Sequence, residues 1–233
     1  MFKSISSIYM CFFHIFSLLQ VFTLALYRCI INPSYLNLGG FPMGLAIACA
    51  TNNRIVLKCD DSPLIGASDQ ETGSKIKSFD DTILLAYTGD KAFCEQAVTA
   101  FERLYMLSSI SPVPLPELVE MFRNKMVLAN QDAHCNCSFL IAGKKDEMFL
   151  IFGMSSSNQF EINMQFTTPE FDETDIECFV IGDPMAHAVT TFEQFFRQQD
   201  PGQTIESVMN QYILYVSSVE DNVSDIIHTQ KIR

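Results

Sequence analysis

Two short apolar runs, LAIACA (45–50) and RIVLKCD (54–60), flank Thr51, Asn52 and Asn53. Those three residues tolerate the left-handed backbone of a tight turn, so the stretch predicts a β-hairpin. Neither run alternates cleanly between apolar and polar, which is the pattern of strands covered on both faces. Residues 74–78 and 82–88 predict two further strands, the second (TILLAYT) rich in β-branched and aromatic residues, and Gly89 and Asp90 end it. Phe93, Ala97, Phe101, Leu104 and Leu107 then recur at spacings of three and four, the apolar stripe of a helix over 91–108. Pro112, Pro114 and Pro116 interrupt the chain, and Leu118, Met121, Phe122 and Met126 repeat the stripe over 117–130.

Strands follow at 137–143 and 147–153, joined by the polar turn Lys144, Lys145, Asp146. Phe160, Ile162, Met164 and Phe166 alternate onto one face of a strand over 160–166, and ECFVIG (177–182) closes the group. Asp183 and Pro184 make a helix start, a capping carboxylate followed by a residue whose missing N–H costs nothing in a first turn, so a helix is expected over 185–198. Thr204 can cap another, with Ile205, Val208, Met209, Tyr212 and Val216 on its buried face, and 224–232 predicts the last strand. Four strands, two helices, four strands, two helices and one strand suggest helix layers packed on two sheets, an α+β four-layer αββα sandwich.

Composition narrows the function classes. At 233 residues the chain can bury one sizeable core, taken as a domain over 41–233 behind an apolar extension over 1–40. A net charge of −12 and a pI near 4.6 argue against nucleic-acid binding, which needs clustered Lys and Arg. The acidic stretch 166–177 is expected to be a solvated loop or edge. Eight cysteines lack the dense spacing of a disulfide scaffold and several lie in apolar strands, which favours reduced thiols in an intracellular compartment. His134, Cys135 and Cys137 cluster without a second group to complete a zinc site, so neither a metal nor a cofactor is expected. Residues 5–31 are apolar enough for a signal, a membrane anchor, a propeptide or a segment foreign to the mature protein, and a membrane partner is expected only if they are retained.

Met43 to Asp90, together with the element order, resembles the β-type subunits of the 20S proteasome, which belong to the N-terminal-nucleophile hydrolases. In that family the mature chain begins with a threonine whose hydroxyl attacks the peptide carbonyl, while its own α-amine, titrating near pH ~8, takes the proton. The resemblance carries the family's acidic residue at the end of the second strand onto Asp60 and its site lysine onto Lys75. It carries the glycine whose N–H is the oxyanion donor onto Gly89, and the aspartate and serine near the amine onto Asp221 and Ser224.

The resemblance fails at the attacking residue. The nucleophile position falls on Met43, or on Gly44 if the hairpin differs by one residue, and neither has a hydroxyl or thiol. Asp183 stands where the family has a serine between glycines. The resemblance therefore implies a non-catalytic β-type subunit, partnered by other proteasome α and β subunits in a cytoplasmic and nuclear particle whose neighbouring chains degrade protein substrates. Two alternatives stay open: a free-standing N-terminal-nucleophile amide hydrolase, and a ligand-binding module derived from the fold.

Overall fold

A computed structural model describes residues 44–62, 64, 74–172, 175–182, 191–200, 202–220 and 223–233. The elements are β1 (Ala46–Ala50), β2 (Ile55–Asp60), β3 (Ile76–Phe79), β4 (Ile83–Gly89), α1 (Lys91–Ile110), α2 (Leu115–Ala133), β5 (Cys137–Lys145), β6 (Met148–Ser155), β7 (Asn163–Phe166), β8 (Glu177–Ile181), α3 (Phe192–Arg197), α4 (Ile205–Val219) and β9 (Ile227–Ile232). They form two antiparallel sheets, ordered β8-β1-β2-β9 and β3-β4-β5-β6-β7. The predicted order of strands and helices is the observed one.

The continuous apolar character of β1 and β2 follows from their place in the middle of a covered sheet. Every residue of both strands is buried. Ala46, Ala48, Ala50 and Leu57 face Leu84, Ala86, Leu140 and Ile151 of the second sheet. The small side chains let the sheets approach closely, and a Cβ added to Gly153 of β6 would stand 2.0 Å from Cε1 of Phe179 in β8.

The other face of the five-stranded sheet packs against α1 and α2 through edge-on rings, Phe101 on Phe122 and Phe122 on Phe139, at centroid distances of 5.3 and 5.4 Å. Over the four-stranded sheet, α4 buries Ile205, Val208, Met209, Tyr212, Ile213 and Val216. Its N-terminus is capped by Thr204 and its body is tied to β2 by Lys58 Nζ donating to Asn210 Oδ1 at 2.6 Å. This is the four-layer αββα arrangement.

Several local expectations need correction. The β1–β2 turn uses no left-handed residue at 51–53; Thr51 N–H donates to Arg54 O at 2.9 Å, and Thr51 Oγ1 donates to Asn53 Oδ1 at 3.1 Å. Both helices of the first pair extend beyond their expected ends; Leu107 is exposed beyond the last buried residue of α1, Leu104, and Met121 is exposed at the margin of a face that Leu118, Val119, Phe122 and Met126 occupy. Phe160 is not in a strand. It sits in a left-handed turn with its ring buried under α1, and β7 begins only at Asn163. Met164 and Phe166 are exposed, since β7 is an edge strand. Glu177, read as part of a solvated stretch, is buried at the start of β8. The helix expected over 185–198 is described only as Phe192–Arg197, and its capping pair Asp183–Pro184 lies outside the described residues, as does the apolar segment 5–31. Among the described residues, no helix is long and apolar enough to cross a membrane.

The fit at Gly153 gives a direct test of the sheet-on-sheet packing. Gly153→Ala should lower unfolding stability by about 1–3 kcal/mol in urea titration, because the added methyl must displace a buried ring. Adding Phe179→Leu to it should recover part of that loss.

Candidate functional site

Asp60 ends β2 with its side chain fully buried, and four donors converge on its carboxylate. Oδ1 accepts from Leu45 N–H at 2.7 Å and from Lys75 Nζ at 2.7 Å. Oδ2 accepts from Ser62 N–H at 3.1 Å and Ser224 N–H at 3.2 Å. The Ser62 contact is an Asx turn, the carboxylate bonding the backbone two residues on. Ser224 N–H also donates to Ser62 Oγ at 2.7 Å. The donors come from the segments leading into β1, out of β2, into β3 and into β9, so one carboxylate joins both sheets.

Lys75 is buried too, its side chain 4% exposed against 0% for Asp60. Removing two charges from water is costly, and the Coulomb attraction offsets that cost only where geometry and further hydrogen bonds are good. Here the three backbone N–H groups supply them. Lys75 is thus not a surface charge. Its carbonyl accepts from Tyr87 N–H at 3.3 Å, which holds it against β4.

Gly44 stands directly over this pair. Its φ is +37°, in the region that side-chain-bearing residues rarely adopt, and a Cβ placed on it would lie 2.4 Å from Lys75 Nζ and 2.9 Å from Asp60 Oδ1. A Cβ at Gly44, one of the two positions allowed by the sequence, would be aimed at Lys75. Met43 lies outside the described residues. Gly44 offers no side-chain nucleophile, and the pocket of space a nucleophile would need is filled by the ammonium and the carboxylate.

Gly89 ends β4, two residues beyond the Tyr87 that Lys75 accepts from, at φ +116°. A Cβ there would meet Asn136 O at 2.1 Å, so glycine is required for the strand to pass Asn136 whatever else its N–H does. Asp90 next to it accepts from Phe93 N–H at 2.9 Å and caps α1. Ser224 contributes its N–H rather than its hydroxyl to Asp60; its Oγ accepts from Ile226 N–H at 3.1 Å. Asp221 lies outside the described residues.

Spacing alone missed Ser62 and the Asp61–His228 contact, Nε2 to Oδ1 at 3.2 Å. The DDS run after β2 was the available signal for the first, as an Asx turn. Cys59 is no substitute nucleophile, because burial pushes its thiol up to about 12, against the opposing pull of Lys75, and the thiolate is the reactive form. Among the described residues, no group of three or more His, Cys, Asp or Glu is placed to hold a metal ion. His134 is the left-handed cap of α2, and Cys137 is buried in β5.

Substitutions separate the contributions. Lys75→Met, which leaves a buried carboxylate with backbone donors only, should cost about 3–5 kcal/mol in chemical denaturation. Asp60→Asn should cost more, since an amide nitrogen would face N–H donors and Lys75 would lose its counter-charge. Gly44→Ala should also destabilise, through both its φ and the collision with Lys75.

No protein-family model and no curated protein matches the chain. Among solved structures, eukaryotic HslV from Trypanosoma brucei is similar, with a TM-score of 0.59, 11% sequence identity, and coverage of 81% of this chain and 99% of that one. At that identity the likeness concerns the fold. The chain has the αββα sandwich of the proteasome-like N-terminal-nucleophile hydrolases, the fold seen in HslV.

Proposed function

We propose that this chain is a non-catalytic, proteasome-type β subunit that contributes surfaces and frame to a larger assembly while neighbouring chains hydrolyse the protein substrate. The observation that carries the reading is Gly44, which leaves no side chain over Lys75 and no space for one. An amide hydrolase of this fold needs a hydroxyl or thiol there to form the acyl intermediate. Without it, Asp60 and Lys75 act as an internal brace.

Assembly is supported by the apolar side chains on the outer surface of α1 and α2. Met106, Leu107, Ile110 and Leu128 are all more than 60% exposed, an arrangement that partner subunits would cover. Other α and β subunits are the proposed partners, and the cytoplasm and nucleus the compartments that go with them. Native mass measurement on protein purified from its own cells provides the test. The chain should run within a particle many times its own 26.3 kDa. A stable 26.3 kDa monomer would contradict the reading, and a monomer stabilised by a small molecule would favour the binding-module alternative.

A further inference from the structure

Cys49 and Cys178 have no part in the site described above, yet their sulfurs lie 2.7 Å apart across the β1–β8 ladder. The two residues are direct register partners in antiparallel strands. Opposed residues of that kind have Cα atoms about 4.5–5.5 Å apart, inside the about 4.4–6.8 Å span that a disulfide needs. The sulfurs are already closer than non-bonded sulfur contact, so a bond of about 2.05 Å would form without moving either strand.

We propose that Cys49 and Cys178 are a disulfide modification site, oxidised by a small uncharged peroxide to a cross-strand bond between β1 and β8. This inference stands apart from the proposed function, since neither residue touches Gly44, Asp60 or Lys75.

The surroundings favour this pair. Ala46, Ala48 and Ala50 point between the sheets, so Cys49, alternating with them, points to the opposite face. Lys58, whose partner in the register is Ile47, is on that same face and reaches Asn210 of α4. Both sulfurs are therefore on the face of the sheet turned away from the second sheet, in residues 1% and 5% exposed, where a small neutral oxidant fits better than a bulky charged one.

In the reaction, the Cys49 thiolate attacks one peroxide oxygen, breaking the O–O bond to give a sulfenic acid and hydroxide, which takes a proton to become water. The Cys178 sulfur then attacks the Cys49 sulfur, its own proton leaving with the displaced hydroxide as a second water. The two thiols lose two electrons and the peroxide gains them. The bond would close a loop across 129 positions, spanning the whole second sheet and the α1–α2 pair. Constraint over so long a loop chiefly limits the unfolded chain.

The test is a peptide map of the purified full chain after hydrogen peroxide treatment, alkylation and digestion without reductant. The expected result is one linked pair of peptides joined through Cys49 and Cys178, lighter than their sum by two hydrogens and separated by dithiothreitol. The oxidised protein should melt on the order of 10 °C above the reduced one. Cys178→Ser and Cys49→Ser should each abolish both the link and the rise. Recovery of both cysteines as alkylated thiols after oxidation would overturn the proposal, and so would linkage of either to a different cysteine. The wild-type map decides the question even if neither variant folds.

Discussion

A single buried carboxylate organises the end of this molecule where the two sheets meet. Asp60 takes hydrogen bonds from the entrances of β1, β3 and β9 and from the exit of β2, and the one from β3 is the Lys75 ammonium. Because four chain segments depend on one group, none can shift without leaving a buried donor or a buried charge unsatisfied, at a cost of about 1–3 kcal/mol for each neutral donor. The interaction therefore fixes the relative position of the sheets at this end as much as it tunes any chemistry. An ion pair of this kind is as costly to break as it is modest in net gain.

Gly44 stands against this pair. In a working site of this fold the lysine would serve a nucleophile above it. Here the backbone itself comes down over Lys75 and Asp60 at a positive φ, and the volume is closed. The same geometry brings Leu45 N–H within reach of Asp60.

Much of the fold was legible in the sequence. The three-and-four spacing of Phe93, Ala97, Phe101 and Leu104 and the unbroken apolar runs of β1 and β2 reflect burial that the structure has. Where the pattern misled, an edge was responsible. Met164 and Phe166 alternate as a buried strand would, but β7 borders solvent; Leu107 continues its stripe past the last buried residue of α1, and Met121 lies at the margin of the buried face of α2. Asp60, Lys75 and Ser224 were identified through resemblance to a family, and the geometry joins them. The contributions of Leu45 and of Ser224 to Asp60 are made by backbone N–H groups, which any residue but proline supplies, so no side-chain pattern announces them. That a Cβ at Gly44 would meet Lys75 and Asp60 is likewise a matter of direction, which spacing does not contain.

The most direct measurement is the intact mass of this chain after its native assembly is incubated with an electrophilic peptide that acylates N-terminal hydroxyl and thiol nucleophiles. If Gly44 and the Asp60–Lys75 brace stand where a nucleophile would, this chain stays unmodified while neighbouring chains gain the adduct. An adduct on this chain that forms in step with loss of the assembly's peptidase activity would contradict the non-catalytic role.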